Sequence, residues 1–211
     1  MFLVIAEPEL SRGDYIYLLN MVSPEKRERI NRFHFFRDAR NTLIGDILVR
    51  KAICQRMGID NEKLVFATNE YGKPFLLNNP QIHFNISHTG NYVICAIDDQ
   101  PIGIDIELIK SIDFKIAERF FTQDEKNYII SSPLALSERA FFEVWTKKES
   151  YIKWEGLGLS RPLTSFSVLD YEQPVQFHLV FENDEVISHL CTEKSEVPCC
   201  ETILIKELQR M

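Results

Sequence analysis

The sequence predicts an α/β fold made of two similar halves, each a small sheet packed with helices. Segments in which apolar and polar residues alternate, as they do in strands, occur on both sides of longer segments with helical spacing. The segments RFHFFRDA (32–39) and RFFTQDEK (119–126) echo each other faintly, as halves related by a pseudo-twofold axis would. We therefore expect an N-terminal subdomain over 1–102 and a C-terminal subdomain over 103–211.

The N-terminal half is predicted to hold strands on either side of two helices. Ser23 followed by Pro24 is typical of a helix start, because serine caps the first turn and proline needs no hydrogen-bonded N–H there. A longer helix is expected from about Arg37 until Gly58 ends it. The alternating segments predicted as strands are FLVIA (2–6), DYIYLL (14–19), HFNIS (83–87) and YVICAID (92–98), with LVFAT (64–68) and turns at 70–74 and 89–91 interposed.

The C-terminal half is predicted to begin with a strand, continue as helices and end in strands. The first strand is PIGIDIELI (101–109), which alternates almost without error. The predicted helices are FKIAERFF (114–121), TQDEKNYII (122–130) and a long helix from a Ser137 cap to Gly156. The predicted strands of the last third are SFSVLD (165–170), VQFHLVF (175–181), EVISHLC (185–191) and ETILIKEL (201–208).

The composition, 45% hydrophobic and 26% charged over 211 residues, is that of an ordinary globular protein with a substantial core. The first ten residues carry a short apolar run and Glu7 but no basic region, so we expect no secretory signal. No segment approaches the roughly 18 apolar residues of a membrane span, and we expect a cytoplasmic protein. The five cysteines form no C-x-x-C pair, which argues against zinc and favours reduced thiols.

The charge is unevenly distributed along the chain. The net charge of −7 argues against a nucleic-acid binder. Residues 23–56 nevertheless carry nine Lys and Arg against four Asp and Glu, a local excess of five positive charges. A basic region in an acidic protein suggests a compact anionic ligand, although a helix with a solvated basic face would give the same counts.

Two acidic residues, Asp105 and Glu107, follow each other on the polar face of the strand at 101–109. Residues two apart in a strand point the same way, so these carboxylates are neighbours. Neighbouring anions repel each other unless a positive group lies between them, and Mg²⁺ is commonly held by one or two carboxylates together with phosphates and water. The alternative is a solvated strand face, on which acidic residues need no partner.

A second group of charges lies in WTKKESYIK (145–153) on the long predicted helix. Glu149 and Lys153 are four residues apart and therefore share one helical face. They could form a surface ion pair of little energetic value. The many aromatic neighbours indicate partial burial, where charges need strong partners. If Glu149 meets Asp105 and Glu107, three carboxylates bind one Mg²⁺ and Lys153 remains free to contact a phosphate.

The motifs together resemble those of 4'-phosphopantetheinyl transferases of the surfactin-synthetase-activating (Sfp) type, over nearly the whole chain. The matching segments are SPEKRE (23–28), GDILVR (45–50), EYGKP (70–74), HFNISHTG (83–90), GIDIE (103–107) and W-x-x-K-E-S-x-x-K (145–153). Either of the last two would be weak alone. Their succession, about 40 residues apart, is highly specific.

The resemblance implies an activity, a cofactor and partners. Members of this family move the phosphopantetheine arm of coenzyme A onto a serine hydroxyl of an apo peptidyl or acyl carrier protein and release 3',5'-ADP. It assigns Mg²⁺ to Asp105, Glu107 and Glu149 and a phosphate contact to Lys153; Mn²⁺ also suits an all-oxygen site. Family members of this length are usually monomers, and no nucleic acid or membrane is expected. Peptide, polyketide and fatty-acid carriers are not distinguished.

The resemblance also implies a binding site for the nucleotide end of coenzyme A. The residues at the matching positions are Lys26, Arg29, Thr42, Gly72, Lys73, Pro74, Ser87 and His88. Arg29 occupies a position at which the family commonly carries a lysine, so we expect the geometry of its contact with the ligand to differ. YGKP is also simply a favourable turn. His88, beside Ser87 and near His83, lacks a third partner for a metal or hydrolase site, which favours contact with an anion.

Two glutamates are candidates for the base that deprotonates the carrier serine. Glu149 is ranked first because it is close to the expected metal and to Lys153. Glu125 is second, since TQDE (122–125) also reads as a capping box in which this glutamate folds back onto the helix start.

The segment SIDFKIAERFF (111–121) carries more apolar residues than one buried stripe needs. These residues are Ile112, Phe114, Ile116, Phe120 and Phe121. Some of them could dock a carrier helix in a groove, or all of them could pack in the core.

Two other functions compete with the transferase. A Mg²⁺-dependent phosphohydrolase also needs clustered carboxylates and basic residues, and an inactive nucleotide-binding module would keep the fold. The set formed by Asp105, Glu107, Glu149 and Lys153 speaks against the inactive module.

Overall fold

The computed structural model describes residues 2–5, 10–169, 174–196, 201–203 and 205–208. The strands are β1 (Phe2–Ile5), β2 (Phe66–Thr68), β3 (Pro74–Leu76), β4 (His83–Thr89), β5 (Tyr92–Asp98), β6 (Ile102–Leu108), β7 (Gln176–Glu182), β8 (Val186–Thr192) and β9 (Glu201–Ile203). The helices are α1 (Arg12–Met21), α2 (Pro24–Asn31), α3 (Phe36–Met57), α4 (Lys115–Phe120), α5 (Gln123–Ser131), α6 (Ser137–Glu155) and α7 (Ile205–Leu208). Short 3₁₀ turns lie at Asn61–Lys63, Leu134–Leu136, Gly158–Ser160 and Leu163–Ser165.

The strands form two larger sheets and a hairpin. One sheet has the order β4-β5-β1-β9, in which β1 is antiparallel to β5 and parallel to β9. The other is antiparallel with the order β6-β8-β7, and β2 and β3 form a separate antiparallel pair. This mixture of helices and small sheets confirms the α/β class. The pseudo-twofold relation and the division after residue 102 stay predictions. In the described residues, no helix has the length and apolarity that crossing a membrane requires.

Helix α3 is the centre of the N-terminal core. Its residues Leu43, Ile44, Ile47 and Leu48 are fully buried, as their helical spacing predicts. The helix ends at Gly58, whose φ of 64° lies in the left-handed region that glycine adopts without strain. The predicted end of this helix is therefore confirmed.

The start of α2 is also confirmed. Ser23 Oγ accepts a hydrogen bond from the Lys26 N–H at 3.3 Å, and Pro24 occupies the first helical position. The cap fixes the first turn of α2, from which the Lys26 side chain reaches Asp46 of α3.

Helix α6 organises the core of the C-terminal half. Phe141, Phe142 and Ile152 pack with residues of β8 and with the segment after the helix. Gly156 ends the helix with a φ of 76°, as expected. The expected Ser137 cap is wrong by one position: Leu136 is the cap, and the Ser137 hydroxyl donates to the Leu134 carbonyl instead.

The segment at 14–19, predicted as a strand, is part of α1. Ser11 Oγ accepts from the Asp14 N–H at 3.1 Å, which starts a helix. Tyr15, Leu18 and Leu19 then share one helical face, and Leu18 is fully buried against the N-terminal core. Six residues of alternating character fit a strand and a short helix equally, and packing decides for the helix.

Two strand predictions in the last third are corrected. The segment at 165–170 is irregular after a 3₁₀ turn, because the Leu163 and Phe166 carbonyls accept hydrogen bonds from the Lys148 ammonium rather than from a neighbouring strand. The segment at 201–208 divides into β9 and α7. The strands predicted at 175–181 and 185–191 are confirmed as β7 and β8, and residues 6 and 170 lie outside the described residues.

Strand β6 lies between a layer of strands and helix α6. Its residues Ile102, Ile104 and Ile106 pack with apolar residues of β5 and β8. The opposite parity, which includes Gly103, faces α6, so the alternation read from the sequence is confirmed. A Cβ placed on Gly103 would lie 1.9 Å from the Ser150 carbonyl oxygen and 2.3 Å from the Trp154 nitrogen. The main chain of α6 therefore rests directly on β6.

We expect Gly103→Ala to lower the free energy of unfolding by at least ~1–3 kcal/mol, because the methyl group overlaps main-chain atoms that cannot rotate away. Thermal and urea unfolding would measure this. Gly13→Ala is the matched control, since its new methyl lies on an exposed turn of α1 with its nearest neighbour at 3.7 Å. Unfolding of Gly103→Ala at the wild-type midpoint would contradict the contact.

Candidate active site

The candidate active site lies where β6, α6 and the end of β4 meet. Strand β6 supplies Asp105 and Glu107, and α6 supplies Glu149 and Lys153 from one helical face. Strand β4 supplies Ser87. The packing of Gly103 under α6 brings these residues together.

Asp105, Lys153 and Ser87 form a closed group. The Lys153 ammonium donates to Asp105 Oδ1 at 2.6 Å and to Ser87 Oγ at 3.0 Å. The Ser87 hydroxyl donates to the same Asp105 oxygen at 2.8 Å. Asp105 is only 3% exposed, so its charge needs this ammonium. Lys153 thus pairs with Asp105 and not, as the surface alternative supposed, with Glu149.

The second oxygen of the Asp105 carboxylate is orphaned. Asp105 Oδ2 is buried and has no hydrogen-bond partner among the described residues. Buried polar atoms are nearly always paired, because an unsatisfied one costs about 1–3 kcal/mol. This oxygen therefore keeps its lone pairs unused among the described residues.

Glu107 and Glu149 share the electrostatic environment of Asp105. Burial is the main cause that raises the pKa of Glu107 to about 7, and the negative charge of Asp105 is the second cause. The same two causes raise the pKa of Glu149 above its ordinary value, while the Lys153 ammonium opposes them. Thr89 Oγ1 donates to Glu107 Oε2 at 3.4 Å. The Asp105 carboxylate therefore acts on both glutamates, one on its own strand and one on α6.

The expected convergence of Asp105, Glu107 and Glu149 on one metal ion stays a prediction. Within the described ranges, no three His, Cys, Asp or Glu side chains are grouped so as to hold a metal ion. The Lys153 ammonium holds one oxygen of Asp105, whose negative charge acts on Glu107 and Glu149. Asp105, Glu107 and Glu149 are neighbours, but among the described residues they do not form a closed metal site.

The residues expected at the nucleotide end of coenzyme A are not all free. Lys26 pairs with Asp46 at 3.0 Å, and Arg29 on the same helix is exposed. Thr42 of α3 is half-buried. His88 follows Ser87 on β4. Burial is the main cause that lowers the pKa of its imidazole, and the Lys153 ammonium is the second cause.

Lys73 is placed differently from the expectation. Its ammonium donates to the carbonyls of Ile102 at 3.3 Å and Trp154 at 3.2 Å, and also to the Lys153 carbonyl. Burial lowers the pKa of Lys73 to about 8. All three donors of this ammonium are used in these contacts, and the assignment of Lys73 to the nucleotide end of coenzyme A stays a prediction. Gly72 is exposed with a φ of 85°, and Pro74 begins β3.

Glu125 is fully buried and both of its oxygens are occupied. Oε2 accepts from the Thr122 N–H at 2.9 Å, which confirms the capping box, and also meets the Lys148 ammonium at 2.9 Å. Oε1 accepts from the Val168 N–H at 2.8 Å. Glu125 is 0% exposed and paired with Lys148, so in this arrangement a substrate hydroxyl does not reach it, and we favour Glu149 as the base.

Sequence reasoning missed two residues that build the site. Asn85 of β4 accepts a hydrogen bond from the Ile104 N–H at 2.9 Å and so attaches β4 to β6. Lys148, fully buried beside Glu149, attaches α6 to α5 and to the segment after the helix. An asparagine at a buried position of a strand was a readable signal. Lys148 is a fixed position of the motif at 145–153, but its partners could not be read from the sequence, because they are distant along the chain and two of them are carbonyls.

Known proteins resemble the chain along both halves. The family model described as "4'-phosphopantetheinyl transferase, N-terminal" matches residues 8–100, and that of the "4'-phosphopantetheinyl transferase superfamily" matches residues 101–202. The 4'-phosphopantetheinyl transferase Sfp of Bacillus subtilis is 47% identical over 159 residues, 75% of this chain and 71% of that protein.

More distant relatives extend the comparison. The 4'-phosphopantetheinyl transferase gsp of Aneurinibacillus migulanus is 44% identical over 166 residues, 79% of this chain and 69% of that protein. The L-aminoadipate-semialdehyde dehydrogenase-phosphopantetheinyl transferase of Xenopus laevis is 33% identical over 163 residues, 71% of this chain and 54% of that protein.

We expect Glu125→Gln to lower the free energy of unfolding by ~3–5 kcal/mol, because it leaves the Lys148 ammonium buried opposite a neutral amide. Urea unfolding measures the loss. The double variant Glu125→Gln/Lys148→Met removes the unpaired charge and should regain part of the stability. Equal stability of wild type and Glu125→Gln would show that this pair does not act as described.

Proposed function

This chain belongs to the 4'-phosphopantetheinyl transferase superfamily, and from that premise we propose that it transfers the 4'-phosphopantetheine group of coenzyme A to a serine hydroxyl of an apo carrier protein. The other product is 3',5'-ADP. The observation that carries the proposal is the juxtaposition of Asp105, Lys153 and Ser87 with two further carboxyl groups. Family membership favours this reading over a phosphohydrolase and over an inactive module.

The reaction exchanges one bond to phosphorus for another. The serine oxygen of the carrier forms a bond to the β-phosphorus, and the bond from that phosphorus to the bridging oxygen breaks. The bridging oxygen leaves with 3',5'-ADP. The hydroxyl proton passes to Glu149, which we rank first as the base because it lies close to Lys153 and to the proposed metal position. Catalysis then consists mainly of positioning the groups and neutralising charge on the diphosphate.

Lys153 and Ser87 are the donors nearest to the proposed diphosphate. Lys153 is 26% exposed at its side chain, so one side of the ammonium faces the opening of the site. It already lies against Asp105 and Ser87, which fix its position before a substrate arrives. A preorganised cation of this kind stabilises charge that develops in the transition state.

Asp105, Glu107 and Glu149 fit a hard divalent cation. The donor set is all oxygen, Asp105 Oδ2 is buried without a hydrogen-bond partner, and the charge of Asp105 acts on both glutamates. Mg²⁺, or Mn²⁺, would be held by these residues and would supply neutralisation of the diphosphate charge. Asp105 would keep its contact with Lys153 through its other oxygen.

The nucleotide end of coenzyme A is assigned to the basic face near the start of α2 and α3. Lys26, Arg29 and Thr42 come from these helices, and His88 adds a contact at the end of β4. Lys26 and Arg29 bring positive charge for the 3'-phosphate. Gly72 and Pro74 can offer exposed backbone, since the Lys73 side chain is turned away.

The carrier protein is proposed to dock on α4. Phe114, at the start of that helix, and Ile116 are 40% and 37% exposed, whereas Phe121 is 2% exposed. The apolar surplus at 111–121 therefore divides into a buried part and an exposed part. The exposed pair is an apolar surface suited to an amphipathic helix.

Incubation with coenzyme A, Mg²⁺ and an apo carrier protein is expected to raise the mass of the carrier by one phosphopantetheine group. Mass spectrometry of the carrier and of the nucleotide product measures it. Chelation of divalent ions should abolish the transfer, and added Mg²⁺ should restore it. Cleavage of coenzyme A without a gain of mass by the carrier would instead indicate a phosphohydrolase, and binding alone an inactive module.

Phe114→Arg is expected to raise the KM for the carrier about tenfold or more and to leave the KM for coenzyme A unchanged, because it places a charge in an apolar contact. Steady-state kinetics with each substrate varied measure both constants. Leu77→Arg, a similar change at an exposed position after β3, is the control. Equal changes in both KM values would favour a core role for Phe114.

A further inference from the structure

We propose that the turn Asn69–Lys73 is a positioning device that clamps the C-terminal end of α6 and thereby holds Lys153 at the candidate site. The inference rests on the proposed function and assigns Asn69 and Lys73 as positioning residues for it. The residues come from the N-terminal half, whereas the helix that they clamp belongs to the C-terminal half.

The first part of the clamp is the Lys73 ammonium. The last carbonyls of a helix lack intrahelical partners, and a cation there is favoured by the helix dipole. Lys73 donates to the Trp154 carbonyl at 3.2 Å and to the Lys153 carbonyl in the last turn of α6. Its third donor reaches the Ile102 carbonyl of β6 at 3.3 Å. One ammonium thus joins the main chains of α6 and β6.

The second part of the clamp is the Asn69 side chain. Its amide nitrogen donates to the Gly156 carbonyl at 3.0 Å, just past the end of α6. Its amide oxygen accepts from the Tyr71 N–H at 3.0 Å and the Lys73 N–H at 2.8 Å. The Asn69 side chain therefore holds the turn together and also binds the end of α6. The turn fixes the position from which the Lys73 side chain extends.

The clamp acts on residues that the proposed reaction uses. The Lys153 carbonyl is held by Lys73 while the Lys153 ammonium lies 2.6 Å from Asp105. Ile102 comes directly before Gly103, where α6 rests on β6, and three residues before Asp105. A change in the clamp shifts the two partners of the ion pair relative to each other, and misplacement by about 1 Å can cost about 100-fold in rate.

This role differs from direct contact between Lys73 and coenzyme A, which the family resemblance implies. An ammonium has three donors, and all three are directed at carbonyls. A phosphate contact would require one of these hydrogen bonds to break. The two roles predict different couplings between Lys73 and Lys153.

The first test is a double-variant cycle in transfer kinetics with Lys73→Met and Lys153→Met. We expect Lys73→Met to lower kcat/KM by ~10–100-fold in the wild-type background. In the Lys153→Met background, the further loss should be less than about twofold, since coupled residues are not additive. Lys63→Met, at an exposed lysine in a 3₁₀ turn, is the control and should change little. Losses that multiply, or a folded Lys73→Met enzyme with full activity, would overturn the proposal.

The second test needs no turnover. Amide hydrogen exchange reports the last turn of α6, where the Gly156 N–H donates to the Ile152 carbonyl at 2.8 Å. We expect faster exchange there in Lys73→Met, and also in Asn69→Asp, which keeps the acceptor for the turn but loses the donor to Gly156. Unchanged exchange in both variants would refute the clamp. A wild type that transfers nothing would refute the proposed function and leave this measurement decisive for the clamp.

Discussion

The site depends on the direct contact between the main chains of α6 and β6. Gly103 leaves no room for a side chain, so the helix rests on the strand and not on a layer of side chains. This closeness is what lets the side chains of α6 reach Asp105, which faces the helix from two residues further along the strand. A larger residue at 103 would move the acidic residues of β6 away from Glu149 and Lys153 of α6. Glycine here is required by close approach, because its place in a regular strand needs no unusual φ.

The electrostatics follow from that contact. Burial at the meeting of β4, β6 and α6 makes each charge depend on its neighbours. Asp105 is stabilised by Lys153 and Ser87, while Glu107 and Glu149, which lie close to its charge, have raised pKa values. Such an arrangement is poor for stability, because like charges are gathered in a poorly solvated place. It suits a site whose proposed ligands, a divalent cation and a diphosphate, bring compensating charges.

The sequence was most informative where a local rule decides the structure. The ends of α3 and α6 follow from Gly58 and Gly156, and the alternation of β6 set Asp105 on the polar face. The segment at 14–19 was misread because its pattern fits both periods. The roles of Lys73 and Lys148 could not be predicted, since main-chain carbonyls distant in sequence are their partners. The resemblance supplied the candidate site residues, but spacing alone could not show which of them already make structural contacts within the fold.

We propose that acidic groups of β6 and α6 hold one divalent ion in common. Titration of Mn²⁺ in the presence of coenzyme A, followed by electron paramagnetic resonance, counts the bound ions. We expect one bound ion in the wild type and a marked loss of affinity in both Asp105→Asn and Glu149→Gln. Binding by Glu149→Gln that equals the wild type would contradict it, because the helix would then contribute no ligand.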